Sequence, residues 1–432
     1  MGKSMRTSKS KDDESDDSPV VDETEANNKE QIARAARLRQ QITRIVTAEP
    51  QESNAKRPPE SPREFTHRRM REEEIAEIAS SSELEGDHDA AYEVPRKEGS
   101  MKDSQKIVTL MQTSESVRDL DWLKESLQAA IELEFSTIPP YLAAEWSIKD
   151  SSRVADSIHE VVREEMLHFG LMCNLLTAIG GQPRLNEMDV VPRYPSELPG
   201  GVQPGLVVPL QRLTTESAKL FMQIEFPEGG PIALTALATF TSIGEFYDAI
   251  QQAFDTLNPT LSSDRQLKGP LGLSRLTTPD EVRAAIDLIK HQGEGSDDSP
   301  EEKPGDLAHY YRFKEIVEEK ELKQDPMTGK WGFTGSPMPL PEVWPMATIP
   351  EGGYQPGDIP DPQVRDKIAA FDKAYSSMLD MLQSAWTTGN SGTLGVSVSA
   401  MIQMQQAGID LMQIPLPDGS GENYGPCFRL VR

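Results

Sequence analysis

The sequence predicts an all-α protein, and three observations lead to that fold class. From about residue 106 onward, apolar residues recur at intervals of three and four, which is typical of amphipathic helices. The strict alternation expected of half-buried strands is weak throughout the chain. No internal repeat at a fixed period is present. The predicted architecture is a helical bundle with additional helices near the C-terminus.

The first 103 residues form a separate compositional region, rich in Ser, Glu, Asp, Lys and Arg and poor in aromatic residues. Such a segment buries too little apolar surface to offset its ordering entropy, so residues 1–103 are predicted to be a largely disordered tail. A basic helix over 31–47 is compatible with nuclear targeting or partner docking, but a solvated tail is the simpler interpretation. The helical bundle is expected over 104–323, and a Pro/Gly-rich segment with the last helices over 324–432.

The chain is strongly acidic, with 44 Lys and Arg against 70 Asp and Glu. This balance argues against nucleic acid and anionic membranes as partners of the main body. No run of about 18 apolar residues is available to span a bilayer. The two cysteines, Cys173 and Cys427, cannot build a disulfide framework or a Cys-rich zinc site. Together with the absence of an apolar signal segment, they predict a cytoplasmic location.

The helical pattern divides into segments at clear stop signals. Gly180 and Gly181 end one long helix, and the run 227–230 (PEGG) ends a shorter one. The segment 324–361 has little periodicity, and a loop of that length is usually functional or packed across the surface. The predicted helices cover about 119–149, 153–179, 213–226, 235–257, 279–291, a segment from 306 onward, 362–386 and 397–412.

The second predicted helix carries polar residues on its apolar face. Its apolar stripe follows the i, i+3, i+4, i+7 rule through Ile158, Val161, Val162, Phe169, Met172, Leu176 and Ile179. Glu165 falls on this stripe, and His168 joins it three residues later. Glu164 points about 100° away and is expected to be solvated. Because burying an unpaired carboxylate is costly, Glu165 requires a proton, a cationic partner or a metal.

Two other helices repeat this arrangement. Glu134 lies on the stripe of Leu123, Leu127, Ile131 and Ile138, and Tyr141 shares that face. Near the start of the helix from 306, Asp306 and His309 align with Phe313 and Ile316. Residues three apart on a helix lie one above the other, so one helix can offer a carboxylate oxygen and an imidazole nitrogen to the same metal pair.

A further carboxylate is expected from the helix over 235–257 or from its predecessor. Glu245 is one candidate, although it is displaced from the stripe of Ile243, Tyr247, Ile250 and Phe254. Glu225, at the end of the preceding short helix, is the other. Two acid-x-x-His pairs with carboxylates from other helices resemble the di-iron carboxylate bundle.

The alternative interpretation is a buried salt-bridge or hydrogen-bond network, such as Glu134 with His168. Cys173 is expected to be a small core residue rather than a ligand. The remaining histidines have no such partners and are expected to be ordinary surface or tail residues: His67, His88, His159 and His291.

Two consecutive prolines, Pro139 and Pro140, fall inside the first long helix. Proline in a helix interior removes a hydrogen bond and bends the axis, so a kink is expected beside the proposed metals. Such a kink suits a substrate channel, and it is equally compatible with a helix that only wraps its neighbours. Substrate is expected to enter beside these prolines, under the Pro/Gly-rich segment.

With these residues, the chain resembles the ferritin-like domain family of the iminophenyl-pyruvate dimer synthase type, which takes its name from the oxidative coupling enzyme of bisindole pigment pathways. The resemblance covers roughly residues 106–432 and rests on LQAAIELEFSTIPPYLAAEWSI, IHEVVREEMLHFGLMCNLLTAIGGQPRL, SIGEFYDAI, DLAHYYRFKEI and GPCF. It implies a ferritin-like four-helix bundle holding two non-haem irons per chain, with another divalent metal as the alternative. The residues on ligand positions are Glu134, Glu165, His168, Glu245, Asp306 and His309. Asp306 departs from the usual Glu of the last pair, which bears on the affinity of the second metal.

The resemblance implies an oxidoreductase or oxygenase that acts on a small metabolite with O2 or peroxide. Glu165 would bridge the irons, and His168 and His309 would be terminal ligands. Tyr141 and Tyr310 are candidates for holding a ligand or relaying an electron, with packing as the alternative. Two other functions stay open: a metal-binding or structural bundle without turnover, and a haem-dependent or metal-independent coupling activity. An oligomer is compatible with the sequence.

Overall fold

The computed structural model describes residues 105–226, 242–294, 299–303 and 306–432. The predicted tail over 1–103, its basic helix included, lies outside the described residues. The same holds for the first part of the helix predicted over 235–257. Within the described ranges, no helix combines the length and the apolar character needed to cross a membrane.

The all-α prediction is confirmed, because helices carry the fold and the strands are two or three residues long. The helices are α1 (Lys106–Met111), α2 (Leu120–Ser147), α3 (Arg153–Ala178), α4 (Thr215–Ile224), α5 (Ile243–Leu257), α6 (Pro279–Glu294), α7 (His309–Glu318), α8 (Pro362–Thr388) and α9 (Ser391–Met412). Three antiparallel strand pairs join loop segments: β1 (Ser196–Glu197) with β2 (Val207–Val208), β3 (Glu301–Lys303) with β4 (Asp306–Leu307), and β5 (Lys323–Gln324) with β6 (Trp331–Gly332).

The two longest central helices, α2 and α3, start at side-chain caps. The Asp119 carboxylate accepts a hydrogen bond from the Trp122 backbone N–H at 2.9 Å. The Ser152 hydroxyl accepts one from the Ala155 backbone N–H at 3.1 Å. Each cap satisfies one of the backbone donors that a helix leaves unpaired at its N-terminus. Because only a short connection separates α2 from α3, the two helices pack as antiparallel neighbours.

Helix α2 continues through its two prolines rather than ending there. Pro140 has no N–H, so the carbonyl of Ser136 lacks the usual partner four residues on. The Tyr194 hydroxyl donates to that carbonyl oxygen at 2.8 Å and replaces the missing bond. This contact compensates in part for the prolines, and the helix runs continuously from Leu120 to Ser147.

The C-terminal helices α8 and α9 belong to the same hydrophobic core as the bundle. The Trp146 ring of α2 lies 6.4 Å from the Phe371 ring of α8 and 5.6 Å from Phe428 in the C-terminal segment. Gly408 of α9 lies directly against this indole, where a Cβ atom would come within 2.7 Å of a ring carbon. A larger residue at position 408 would separate α9 from α2.

Asn174 joins α3 to two other parts of the fold through a fully buried side chain. Its amide donates to the carbonyls of Leu267 at 2.9 Å and Ser274 at 2.8 Å. Its oxygen accepts from the Leu267 N–H at 2.9 Å and from the Trp386 indole N–H at 3.1 Å. The side chain thus uses both donors and both acceptor positions, and one residue satisfies four polar groups.

We expect Asn174→Ala to lower the free energy of unfolding by about 3 kcal/mol or more, because it leaves several buried polar groups unpaired. Gln182→Ala, at an exposed position just past the same helix, should change it by less than about 0.5 kcal/mol. Denaturant unfolding followed by circular dichroism measures both. Equal stability of Asn174→Ala and the wild type would contradict this role.

Candidate metal centre

Five acidic and imidazole side chains from four elements meet inside the bundle. They form two groups that share one member: Glu134, Glu165 and His168, and Glu165, Glu225 and His309. In each group, one potential ligand atom from every residue lies within 4.8 Å of the others. Glu165 belongs to both groups, so its carboxylate stands between the two histidines.

The distances place the Nδ1 atoms of both imidazoles against carboxylate oxygens. His309 Nδ1 lies 2.8 Å from Glu165 Oε1 and 3.6 Å from Glu225 Oε2. His168 Nδ1 lies 3.5 Å from Glu134 Oε2 and 3.9 Å from Glu165 Oε1. The two rings stack with their centroids 5.5 Å apart. Both imidazoles therefore face the same small volume from α3 and from the first turn of α7.

The other ring nitrogen of each histidine has an outer partner. His168 Nε2 lies 2.7 Å from the Gln292 side-chain oxygen on α6, and His309 Nε2 lies 2.9 Å from Glu164 Oε2. A proton on Nε2 that is donated to these oxygens leaves an Nδ1 lone pair facing the carboxylates. His309 Nδ1 is buried and has no well-oriented hydrogen bond among the described residues. This donor set fits a metal ion.

Each of the three carboxylates is held by a hydroxyl group on one oxygen and presents the other to the cluster. The hydroxyl of Tyr247 donates to Glu134 Oε1. Tyr141 donates to Glu225 Oε1 at 2.5 Å, and Thr137 donates to Glu165 Oε2 at 2.8 Å. The second oxygens, Glu134 Oε2, Glu165 Oε1 and Glu225 Oε2, are the atoms nearest the imidazoles. The hydroxyls thus orient the carboxylates toward a common centre.

Burial and mutual repulsion perturb the protonation of these groups. Burial, followed by the charges of Glu225 and Glu134, raises the pKa of Glu165 to about 7. Burial also acts to raise the pKa of Glu134, but the hydrogen bond and charge of His168 outweigh it and lower that pKa. For both histidines burial acts to lower the pKa, and the facing carboxylates raise it overall. The raised pKa values of Glu165 and of the two histidines mean that these groups bind protons more readily than the same side chains in water.

The structure corrects the predicted carboxylate of the fourth helix. Glu245 is exposed in the first turn of α5, where it forms a capping box with Ser242. The Glu245 carboxylate accepts from the Ser242 N–H at 3.0 Å, and the Ser242 hydroxyl accepts from the Glu245 N–H at 3.0 Å. Glu225, the C-cap residue of α4, enters the cluster instead. The sequence did indicate the capping role of Glu245, because Ser-x-x-Glu before an apolar run is typical of a helix start.

Asp306 is likewise not in the cluster. It lies in β4, and helix α7 starts only at His309, so the helical i, i+3 rule does not apply to this pair. The Asp306 carboxylate forms an ion pair with Arg312, whose guanidinium also lies 3.5 Å from Glu164. Glu164 in turn contacts His309, and only 15% of its side chain is exposed. The prediction that Glu164 is solvated is therefore wrong, and its carboxylate is the outer partner of His309.

The structure also locates the tyrosines, the cysteine and the histidine to which the sequence assigned other roles. Tyr141 does contact a cluster residue, whereas Tyr310 packs in a separate buried group with Ala308, Tyr311 and Leu322. Cys173 is fully buried in the core, as expected. His159 lies on the surface and pairs with Glu145 at 2.8 Å. The sequence interpretation missed Gln292 and the hydroxyl of Tyr247, because both reach the cluster from elements far away along the chain.

A pocket reaches the cluster from the side of α4, α5 and α6. Its polar lining includes Glu134, Thr137, Glu165, His168 and Glu225. Its other walls are mostly apolar, among them Leu133, Ile224, Phe226, Tyr247 and Ile289. Neither the two prolines of α2 nor segment 324–361 lines this pocket. Substrate entry beside the prolines stays a prediction.

The pKa of Glu165 gives a testable pH dependence of the metal-free protein. Its value rises from about 4.5 to about 7 on folding, so between these pH values the folded state holds a proton that the unfolded chain has released. This stabilising contribution is fully present below pH about 4.5 and is lost as pH rises through about 7, with a magnitude of up to about 3 kcal/mol. Unfolding in chelator across this pH range measures it.

Glu165→Gln has no carboxyl group to titrate, so its free energy of unfolding should fall less between pH 5 and 8 than that of the wild type. Glu160→Gln, a change at a side chain that is 45% exposed on the same helix, should keep the wild-type profile. Identical profiles for the wild type and Glu165→Gln would show that Glu165 does not carry the effect.

Parts of the chain are similar to known proteins. Residues 127–318 match the family model described as Ferritin-like. The chain is 25% identical over 324 residues to dichlorochromopyrrolate synthase of Lentzea aerocolonigenes, an alignment that covers 64% of this chain and 30% of that enzyme's length. It is also similar to a ferritin-like protein from Caulobacter vibrioides of known crystal structure, with 23% identity, a TM-score of 0.49, and coverage of 71% of this chain and 99% of that one.

The matched segment begins within α2 and ends with α7, so it contains every side chain of the two acid and histidine groups. The helical fold over residues 127–318 is therefore consistent with the Ferritin-like family model that this part of the chain matches.

Proposed function

We propose that the chain binds two metal ions, with iron as the expected metal, and oxidises a small metabolite with O2 or peroxide. The observation that carries this proposal is the pair of acid and histidine groups that share Glu165. A carboxylate common to two three-ligand groups is the arrangement that a two-metal site requires. Nitrogen and carboxylate donors suit iron, and the structure supplies them without cysteine.

Each residue of the cluster would have its own role in holding the metals. Glu165 would bridge the metals, while Glu134 with His168 and Glu225 with His309 would complete the two ligand sets. Two non-haem irons would activate O2 or peroxide, which would take up the electrons removed from the metabolite. Gln292 and Glu164 would fix the orientation of the imidazoles, and such outer partners commonly contribute 10- to 100-fold to metal affinity.

The two tyrosines beside the carboxylates would act as proton-bearing donors. Burial, together with the charges of the nearby glutamates, raises the pKa values of Tyr141 and Tyr247 well above the ordinary value. Both hydroxyls therefore stay protonated at neutral pH and keep donating to Glu225 and Glu134. Each protonated phenol offsets part of the charge of its carboxylate. Because the phenol binds one carboxylate oxygen, the other oxygen, which faces the cluster, would remain available as a metal ligand.

The pocket limits the class of substrate. Its mostly apolar walls beside the acid and histidine cluster suit a small aromatic or amino-acid-derived molecule. Lys290 also lines the pocket, and it pairs with Asp248 at 2.5 Å. The similarity to an enzyme named for the synthesis of dichlorochromopyrrolate supports a biosynthetic oxidation, and an oxidative coupling of the iminophenyl-pyruvate dimer synthase type is one form of it.

Metal analysis of the protein produced in iron-supplemented medium tests the proposal. We expect two irons per wild-type chain and a marked loss in Glu225→Ala, which removes a ligand of one group. Glu245→Ala should keep the wild-type iron content, because its carboxylate only caps α5. On α3, His168→Ala should lose iron, whereas His159→Ala should keep it.

A metal-free wild type whose stability is unchanged or improved by Glu165→Ala together with His168→Ala would contradict metal binding. O2 consumption with a panel of small aromatic substrates tests the oxidative step in the iron-loaded protein. Iron that is retained without O2 consumption would instead support a metal-binding bundle without turnover. A Soret band would support a haem-dependent activity.

A further inference from the structure

The two halves of the acid and histidine cluster contain the same kinds of ligand groups. The His168 position consists of Glu134, Glu165 and His168, and the His309 position consists of Glu165, Glu225 and His309. Glu134 and Glu225 each accept a hydrogen bond from a tyrosine hydroxyl. Because these groups match one for one, a difference in metal affinity between the two positions has to come from the groups behind them.

The groups behind the two imidazoles are different. His168 Nε2 lies 2.7 Å from the side-chain amide oxygen of Gln292, whereas His309 Nε2 lies 2.9 Å from a carboxylate oxygen of Glu164. A hydrogen bond to a carboxylate is stronger than one to an amide oxygen, and it makes the imidazole a more basic metal ligand. The outer partner therefore favours metal binding at the His309 position.

Arg312 holds the Glu164 carboxylate in place. Its guanidinium donates to the Leu307 carbonyl at 2.6 Å, forms an ion pair with the Asp306 carboxylate, and lies 3.5 Å from Glu164 Oε1. The Arg312 and Glu164 side chains are only 13% and 15% exposed. With the guanidinium beside Oε1, the Oε2 atom of Glu164 is directed at His309.

Charge and access also distinguish the two positions. The two carboxylates and one guanidinium of Asp306, Arg312 and Glu164 leave one negative charge behind His309, and charges that are largely buried are screened less than charges in water. The amide of Gln292 adds no charge behind His168. The described residues that line the metal pocket include His168 but not His309, whose side chain is fully buried. A metal at the His168 position would therefore exchange more easily.

We propose that the two metal positions have unequal affinities, and that the chain of contacts Asp306–Arg312–Glu164 sets the difference. The His309 position fills first and binds more tightly, and the His168 position holds a second, more easily exchanged metal beside the pocket. This inference rests on the proposed function, because it requires two metal positions. Arg312 and Asp306 are positioning residues, since they act on the metal only through Glu164.

Variants of the full chain that keep one position measure each affinity without repulsion between two cations. His168→Ala keeps the His309 position, and His309→Ala keeps the His168 position. Co²⁺ is the probe, because it accepts nitrogen and carboxylate ligands and its binding is followed by visible absorption. We expect His168→Ala to bind one Co²⁺ about 10- to 100-fold more tightly than His309→Ala does, the range that outer partners of histidine ligands contribute.

Equal affinities of the two variants, or the reverse order, would overturn the inference and leave the proposed function standing. A wild type that binds no Co²⁺ or iron would overturn both. Two equal binding steps in the wild type would also contradict the inference, because unequal positions and cation repulsion both separate the steps.

Glu164→Gln tests the outer carboxylate with almost no change of shape, because it gives His309 the kind of amide partner that Gln292 gives His168. Added to His168→Ala, it should weaken Co²⁺ binding about 10- to 100-fold. Added to His309→Ala, it should leave Co²⁺ binding unchanged. A merely structural role of Glu164 would weaken binding in both proteins. Weakening in both, or in neither, would overturn the inference.

Arg312 is tested in the chain that keeps both histidines, so the result does not depend on the folding of the histidine variants. Arg312→Ala should weaken the first Co²⁺ step and spare the second, and Arg312→Lys, which keeps the positive charge, should restore part of the first step. Arg163→Ala is the matched control on α3, where Arg163 is 44% exposed and pairs with Glu160, and it should keep both steps. Equal weakening of both steps by Arg312→Ala, or no weakening, would overturn the role of Arg312.

Discussion

The buried carboxylate of Glu165, held between two imidazoles and two further carboxylates, is the constraint on which the rest of the site depends. Three acids in one water-poor volume repel each other, and the surrounding protein must offset that repulsion with protons, hydrogen bonds or cations. The groups around the three carboxylates offset this repulsion or orient the cluster. Hydroxyls hold the outer carboxylate oxygens, outer acceptors orient the imidazoles, and both imidazole Nδ1 atoms face the negative centre.

Much of this centre could be predicted from periodicity, because α2 and α3 are long and regular. A three-residue spacing on a helix places Glu165 and His168 on one face whatever the rest of the fold does. Glu134 and His309 were identified on the same grounds, and the structure brings all four together. The same reasoning failed for Asp306, because the spacing has meaning only inside a helix and Asp306 precedes one.

The remaining partners depend on tertiary contacts that no local pattern contains. Glu225 lies at the end of a short helix, where the apolar stripe no longer indicates which way a side chain points. Glu245, the other candidate, acts locally as a helix cap, because Ser242 and Glu245 satisfy each other's backbone donors. The contact of Gln292 with His168 joins residues 124 positions apart, and that of Glu164 with His309 joins residues 145 apart. Such contacts are set by how the helices pack.

Crystallography of the iron-loaded protein with anomalous scattering at the iron edge tests the central claim most directly. The account predicts two iron peaks about 3.5 to 4 Å apart, a separation typical of two-metal sites. The Glu165 carboxylate should lie between them, and one imidazole Nδ1 should bind each iron. A single peak, or no peak at the cluster with the histidines hydrogen-bonded to the glutamates, would contradict it.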